Sequence, residues 1–309
     1  MQKFHIVGLS VVAAAVALLS AQLGSATSSG KISLYPRDGA KFYTREMTNG
    51  SKAYVIEIDK NSQWQFKVAV GEKTEPTSRL SEKNGASAGI NAGYFNMTDG
   101  VSASYITVDG KQVADPHLNR ALVENPRLKP HLEKIFDRTE VRFYQDKKGN
   151  KTIAIAAHNA PVPEALTLMQ SIQAGPRLVP EVTARQEAFL RTEPDGKEAD
   201  SIGVLRPAAR TALGTTSDGR AFMVTVAGKG QDPESSGVTL DQLAVFMKEL
   251  GCTAAINFDG GASSTLYAKL CEPGHCDAGQ PPPTGRVLCG KTPETLVKSA
   301  LLLVPSKRR

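Results

Sequence analysis

The chain has 309 residues, of which 40% are hydrophobic, and a formal net charge of +6. This composition is sufficient for one large domain with a proper core. Apart from the terminal Lys307-Arg308-Arg309, the basic residues are scattered, and aromatic residues make up only 6% of the chain. The composition therefore excludes a nucleic-acid footprint, and no nucleic-acid partner is expected.

The first residues have the features of an export signal. Lys3 precedes an apolar run over 6–19, and the small residues Gly24 and Ala26 follow it. We predict a signal peptide over residues 1–26, cleaved after Ala26. The run is shorter than the roughly 20 residues of a membrane span, so no stable span is expected after cleavage, although an uncleaved anchor is an alternative. The mature protein is predicted to be periplasmic or secreted.

Alternating apolar residues predict most of the elements in the first two thirds of the chain. Strands are expected at 53–58, 64–70, 140–144 and 152–157, and a hairpin is expected to begin with 104–108. The segment 88–95 is small and apolar but is interrupted by Asn91. Helices are expected at 77–82 and 163–173, and the charged segment 191–201 is expected to be a flexible loop.

The remaining third has clearer signals. Strands at 210–215 and 221–227 flank a Ser-Asp-Gly turn, and Thr239 and Gln242 form a capping-box pattern for a helix that Gly251 ends. Strands at 253–256 and 296–304 follow. Since there are no repeats and no low-complexity linker, we predict an α+β fold. It would be a single domain over 40–305 with a mixed β-sheet core flanked by helices.

The most informative segment is Asn-Phe-Asp-Gly-Gly-Ala-Ser-Ser-Thr at 257–265. It places Asp259 where a short buried strand ends, and Gly260 and Gly261 allow a ligand to approach the backbone closely. The hydroxyls of Ser263 and Ser264 follow. This arrangement suits an oxygen-rich ligand such as a sugar or a phosphate, and the alternative is a common Asp-Gly turn.

Other polar residues stand at the ends of apolar strands. Asn91 could bond a ligand hydroxyl or satisfy a neighbouring strand. Arg177, Arg206 and Arg210 could bind phosphate oxygens through their planar guanidinium groups, or could be solvated or paired with carboxylates.

Four cysteines, Cys252, Cys271, Cys276 and Cys289, are disulfide candidates in an exported protein. Three of them lie in a stretch rich in Pro and Gly, which resembles a loop insertion. A zinc site formed by Cys271, His275, Cys276 and Cys289 is an alternative, but its spacing is not the usual one.

Common catalytic motifs are not found in the sequence. It has no Walker A loop and no G-x-S-x-G elbow, and its histidines are dispersed without metal-ligand spacing. We therefore predict no cofactor and assign no metal ligand, while leaving a divalent metal open.

Five segments in order resemble the phosphodiester glycosidase family, over about residues 85–304. They are NAGYF at 91–95, AGPRLV at 174–179, Arg206 with RTALG at 210–214, GVTL at 237–240 and NFDGGASS at 257–264. Ala92 and Ala262 depart from the pattern, because glycine is common at both positions in the family.

The resemblance implies hydrolysis of a sugar-1-phosphodiester, of the N-acetylglucosamine-1-phosphodiester type, to a free sugar and a phosphomonoester. Asp259 would then act at the anomeric centre as a base or a nucleophile, and Arg210 would stabilise the leaving oxygens with help from Arg177. The implied substrate-binding residues are Asn91, Arg177, Arg206, Asn257, Gly260, Gly261, Ser263 and Ser264.

A second carboxylate is the usual partner in glycoside cleavage. Asp99, Asp232 and Glu234 lie in suitable loops, and the sequence does not choose among them. Two other functions compete with the glycosidase: a noncatalytic envelope protein that binds phosphodiester-linked exopolysaccharide, and a metal-dependent phosphodiesterase with Asp259 as a ligand.

Overall fold

The computed structural model describes residues 29–36, 39–60, 62–193, 195–271, 276 and 282–306. The predicted signal peptide and its cleavage site at Ala26 lie outside this range, as does His275. No helix in the described part of the chain is long and apolar enough to cross a membrane.

Three sheets and one hairpin form most of the fold. The first sheet contains β1 (Ile32–Ser33), β2 (Ala40–Glu46), β3 (Lys52–Ile58), β11 (Arg177–Val179), β14 (Arg210–Thr216), β15 (Ala221–Val226) and β16 (Cys252–Asn257), in the order β1-β2-β3-β15-β14-β16-β11. The second contains β4 (Trp64–Pro76), β5 (Ala88–Asn91), β17 (Leu266–Ala268), β18 (Arg286–Cys289) and β19 (Leu296–Pro305), in the order β18-β17-β5-β19-β4. The third contains β6 (Ile106–Val108), β7 (Lys111–Ala114), β8 (Thr139–Asp146), β9 (Lys151–Ala157) and β10 (Leu166–Gln173), in the order β7-β6-β10-β8-β9. The hairpin is formed by β12 (Leu190–Thr192) and β13 (Glu198–Asp200).

Helices are few and short. They are α1 (Thr77–Lys83), α2 (Arg120–Val123), α3 (Leu132–Phe136) and α4 (Leu240–Glu249), with 3-10 turns at Pro116–Leu118, Lys129–His131 and Gly261–Ser263. The predicted capping box of α4 is present, since Thr239 and Gln242 exchange hydrogen bonds between side chain and backbone. Gly251 follows this helix with a φ of +86°, a conformation that favours glycine.

Three predictions about the fold were wrong. The sheets are not mixed, because every strand pairing in the described residues is antiparallel. The helix expected over 163–173 is largely strand β10, which pairs with both β6 and β8. The apolar residues of this segment fit the period of a helix as well as that of a strand. Hydrogen bonding to a strand on each side favours the strand. The segment expected to be a flexible loop at 191–201 includes most of the β12–β13 hairpin.

The first sheet is buried on both faces. Along β15, Ala221 and Met223 join a core shared by all three sheets, whereas Phe222, Val224 and Val226 pack into a second core that includes α4. The alternation follows from the two-residue period of a strand. β14 pairs with this strand and β16 pairs with β14, and the candidate site lies where β16 ends beside the start of β14.

Candidate functional site

The loop after β16 is attached to two different sheets. The Phe258 amide donates to the Thr211 carbonyl at 2.8 Å, within the first sheet. The Asp259 amide donates to the Ala92 carbonyl at 2.9 Å, just after β5 of the second sheet. The Gly261 amide then donates to the Ala209 carbonyl at 2.8 Å. Asp259 is therefore held where the first and second sheets meet.

The Asp259 carboxyl is largely desolvated, although Asp259 as a whole residue is partly exposed to solvent. Desolvation raises the pKa of this carboxyl from 3.8 to about 6. Hydrogen bonds from the Ser263 hydroxyl and the Gly260 amide oppose the shift by favouring the ionised form. A carboxyl that titrates near neutral pH is suited to proton transfer.

Asn91 is fully buried and all its hydrogen bonds are internal. Its Nδ2 donates to the Asp259 carbonyl at 2.6 Å. Its Oδ1 accepts from the Thr211 hydroxyl at 2.8 Å and from the Thr265 amide at 3.0 Å. Asn91 was considered either as a ligand for a substrate hydroxyl or as a partner for a neighbouring strand, and these contacts show the second role.

Asn257 is also buried, and it points toward Tyr94. Its Nδ2 lies 3.0 Å from the Tyr94 hydroxyl and 3.1 Å from the Gly175 carbonyl, while its Oδ1 is buried with no partner among the described residues. The Tyr94 hydroxyl donates to the Gly175 carbonyl at 2.8 Å. Burial and the charge of Asp259 raise the pKa of Tyr94, so its phenol stays protonated.

Arg210 lies close to the Asp259 loop, but its donors are directed elsewhere. It is only 2% exposed. Nε donates to the Val238 carbonyl and Nη1 to the Ile202 carbonyl, both at 3.0 Å. Nη2 donates to the carbonyls of Gly203 and Arg206. The guanidinium therefore holds together the backbone segments that support the site.

No hydrogen bond or ion pair joins Arg177 or Arg206 to the Asp259 carboxyl in the described part of the chain. Arg177 pairs with Glu181 at 3.1 Å and lines an open groove of about 820 Å³, together with His117 and Phe136. Arg206 is exposed on the loop that Arg210 holds.

The remaining predicted binding residues lie in the Asp259 loop itself. Gly261 has a φ of +61°, which favours glycine, and a side chain on Gly260 would come within 3.0 Å of the Ala209 carbonyl. Ser263 bonds the Asp259 carboxyl. The Ser264 hydroxyl is fully buried and has no partner among the described residues.

None of the three candidates for a second carboxylate is directed at Asp259. Asp99 and Glu234 are exposed on other loops, and Asp232 pairs with Lys52 at 3.2 Å. Glu187 is a further acidic residue near this site, since its charge, like that of Asp259, raises the pKa of Tyr94. Its carboxylate already accepts from four donors, of Thr139, Arg177 and Thr183.

The cysteines do not all pair. Cys271 and Cys276 form a disulfide, whereas Cys252 and Cys289 are buried thiols in two separate cores. Of the four disulfide candidates, Cys252 and Cys289 are therefore not bridged, and each of these two thiols packs as a small apolar side chain. The zinc alternative is overturned as well, since the disulfide engages two of its four ligands. The described residues contain no group of three or more His, Cys, Asp or Glu that could hold a metal ion.

A cavity of about 590 Å³ lies at the opposite end of β14, lined by Trp64, Phe143 and Thr216. It is far from the Asp259 loop, because Arg210 begins β14 at the Asp259 end and Thr216 ends the strand. The cavity opens to the surface, where exposed residues such as Lys60 and Lys151 line it, and it contains none of the predicted site residues.

Sequence reasoning missed Tyr94, Arg138 and Arg191. The Tyr94 ring lies 5.5 Å from the Phe189 ring, and the Arg138 guanidinium carbon lies 3.6 Å from the Phe189 ring centroid. Tyr94 belongs to the NAGYF segment, which could have indicated it. The two arginines lie in segments with no motif, so only their contacts reveal them.

Known proteins share this architecture. The structure resembles that of a hypothetical protein from Synechocystis, with a TM-score of 0.56 and 14% identity over 86% of this chain and 62% of that protein. It resembles the zebrafish N-acetylglucosamine-1-phosphodiester alpha-N-acetylglucosaminidase catalytic domain, auto-inhibited by its pro-peptide, with a TM-score of 0.55 and 18% identity over 92% and 90% of the two chains. An exported protein from Burkholderia pseudomallei matches with a TM-score of 0.52 and 17% identity, over 85% of this chain and 74% of that one.

At these identities the structural likeness shows a shared fold. The chain spans less than two thirds of the Synechocystis protein. No curated protein matches the sequence significantly. Residues 84–302 match the family model described as phosphodiester glycosidase, which covers more than half of the chain. The chain therefore belongs to the phosphodiester glycosidase family.

Proposed function

We propose that this protein is an exported hydrolase that cleaves a sugar-1-phosphodiester between the anomeric carbon and the phosphate oxygen. Water adds its oxygen to the anomeric carbon, the C–O bond breaks, and its electron pair stays on the phosphate. The products are a free sugar and a phosphomonoester. Family membership supports the reaction class, and the zebrafish enzyme's name supports an N-acetylglucosamine-type sugar.

The observation that carries the proposal is the Asp259 carboxyl, whose pKa burial raises to about 6. In its ionised form Asp259 accepts a proton from the attacking water, or attacks the anomeric carbon itself. The Ser263 hydroxyl bonds the carboxyl and orients it. Because the leaving phosphate carries negative charge readily, its second pKa being about 6, a strong general acid is less necessary than in ordinary glycoside cleavage. This agrees with the absence of a second carboxylate directed at Asp259 among the candidates described above.

Arg210 supports this chemistry by holding the backbone around the Asp259 loop. Its guanidinium fixes the carbonyls of residues 202, 203, 206 and 238, and it begins the strand whose backbone holds the Asp259 loop. Asn91, Gly260 and Gly261 shape the same loop. We therefore assign Arg210 a positioning role.

The test is incubation of the mature protein with UDP-N-acetylglucosamine and a panel of chromogenic sugar-1-phosphodiesters, with and without EDTA. We expect free sugar from the wild-type protein and a loss on the order of 10²–10⁴-fold in kcat for Asp259→Asn, with ligand affinity retained. Asp241→Asn, at an exposed position on α4, is the matched control. In oxygen-18 water the label should enter the sugar. Label in the phosphate would mean P–O cleavage, and binding without turnover would mean a polysaccharide-binding protein.

A further inference from the structure

We propose that Arg138 and Arg191 form the anion subsite that receives the substrate's phosphate, an inference that rests on the proposed function. Neither residue carries a sequence motif. Arg210, the arginine that the sequence indicates for this role, uses its Nε and both terminal nitrogens on backbone carbonyls. The positive charge needed beside the leaving oxygens therefore has to come from other side chains.

Arg191 carries buried donors that the described residues do not use. Its side chain is 11% exposed, and its Nη2 lies 2.9 Å from Oε1 of Glu193. Its Nε and Nη1 are buried and have no hydrogen-bond partner. Buried polar groups in proteins are normally satisfied, so two unpartnered donors on one guanidinium indicate a missing acceptor.

Arg138 is the second cation, and it is held in place by an aromatic ring. Its guanidinium lies over the Phe189 ring at 3.6 Å, and its Nε donates to the Glu187 carbonyl at 3.0 Å. This bond uses Nε and not the two terminal nitrogens. Stacking and a single hydrogen bond fix the plane of the guanidinium and leave its terminal donors for a ligand.

The two arginines are close to each other, and Arg138 is linked to the Asp259 loop through the Phe189 ring and through Tyr94, whose hydroxyl lies 3.5 Å from the Phe258 carbonyl. The charge of Arg191 acts on Arg138, and the charges of Arg138 and Asp259 both act on the Tyr94 hydroxyl. The Tyr94 and Phe189 rings are in contact, which places the arginine pair on one side of Tyr94. A substrate with its anomeric carbon at Asp259 would thus have its phosphate beside the pair.

Glu193 pairs with Arg191 through Nη2 alone, and the other neighbouring carboxylate, that of Glu187, accepts from other donors. Glu187 accepts from the Thr139 amide and hydroxyl, the Arg177 amide and the Thr183 hydroxyl, and it meets Arg138 through its backbone carbonyl. A phosphate group supplies several acceptor oxygens and negative charge, which two partly desolvated guanidiniums bind strongly. The phosphate class of ligand is therefore the one that fits the unused donors.

Inorganic phosphate is the probe, because its binding is measured without turnover. We expect phosphate to raise the Tm of the wild-type protein, and Arg191→Met to weaken phosphate affinity by calorimetry at least tenfold. Arg185→Met is the matched control, since Arg185 is an exposed arginine paired with Glu198 of the same hairpin. It should bind phosphate as the wild type does.

Arg191→Lys keeps one positive charge but not the fork of donors, so it should fall between wild type and Arg191→Met. It also serves if the methionine variant fails to fold. Equal phosphate affinity in the wild type and in the folded Arg191 variant would overturn the inference, as would a wild type that binds no phosphate. Phosphate binding that depends on Arg191 without sugar release would uphold the subsite and overturn the glycosidase. Sugar release together with unchanged phosphate affinity in the Arg191 variant would uphold the glycosidase and overturn the subsite.

Discussion

The side-chain amide of Asn91 donates to the main-chain carbonyl of Asp259 at 2.6 Å and so ties the last residue of β5 to the loop after β16. The two strands belong to different sheets. The backbone bond from the Asp259 amide to the Ala92 carbonyl lies beside it. The position of the acidic side chain thus depends on the joint between two sheets, and changes at that joint should affect it.

Asn91→Ala should be strongly destabilising. It removes three buried hydrogen bonds and leaves the Asp259 carbonyl and the Thr265 amide without their partner. With about 1–3 kcal/mol for each unsatisfied buried group, we expect a loss of roughly 3 kcal/mol or more in the free energy of unfolding. Urea unfolding measures it, and Asn150→Ala in an exposed turn should change stability by less than about 1 kcal/mol. Similar values for the two variants would refute the role of Asn91.

Ionisation of Asp259 should cost stability at neutral pH. Because the pKa of this carboxyl is about 6 in the folded protein and 3.8 ordinarily, the folded state binds the proton more tightly than the unfolded chain does. The contribution of this group to the free energy of unfolding therefore falls as pH rises from about 4 to 6 and is constant above that.

Asp259→Asn should consequently be more stable than the wild type at pH 7.5, by up to about 3 kcal/mol. The difference should disappear below about pH 3, where the aspartate is protonated in both states. Urea unfolding of both proteins at the two pH values provides the comparison. A variant that is less stable at pH 7.5 would contradict the assigned pKa direction.

Ser263→Ala should shift the acid limb of activity to higher pH. The Ser263 hydroxyl favours the ionised carboxylate of Asp259, and removing it raises the pKa of that carboxyl above about 6. The profile of kcat/KM against pH reports the change, since only ionised Asp259 can act as the base. Ser236→Ala, at an exposed serine of another loop, is a suitable comparison. An acid limb in the same place for Ser263→Ala and the wild type would exclude the hydrogen bond from the mechanism.

Arg210→Lys should destabilise the fold and lower activity, although it keeps the charge. The guanidinium spans four backbone carbonyls, and a lysine ammonium offers three donors from a single point. We expect a loss of roughly 3 kcal/mol or more in the free energy of unfolding. At the partly exposed Arg220, which pairs with Asp218, the same change should cost under about 1 kcal/mol. A stable Arg210→Lys protein with lower phosphate affinity would instead assign Arg210 to the phosphate.

Two thiols should be found in the oxidised protein. Cys252 and Cys289 are buried, and burial raises the pKa of each thiol to about 12, so both should resist alkylation in the folded state. Mass spectrometry after alkylation should show no modification in native buffer and two groups in denaturant. Four groups after reduction would complete the count. Alkylation of Cys271 or Cys276 without reductant would contradict their disulfide.

Local patterns in the sequence determined several features of this protein. The apolar run at 221–227 after the Ser-Asp-Gly turn predicted a strand, which is β15, and the Thr239–Gln242 pattern predicted the start of α4. The Asp-Gly-Gly segment predicted a carboxylate at the end of a strand, and Asp259 does follow β16. These predictions hold because strand periodicity, helix capping and turn formation depend on residues that are close along the chain.

Tertiary structure alone decided which polar side chains have free donors or acceptors. Arg210 and Asn91 look like ligand-binding residues in sequence, yet distant segments satisfy them, and Arg191 is left with unused donors in a segment without a motif. The period of 166–173 fits a helix as well as a strand, and pairing with β6 and β8 settled it. A hydrogen-bond partner that lies scores of residues away leaves no local pattern, so the site's chemistry emerges only when the sheets come together.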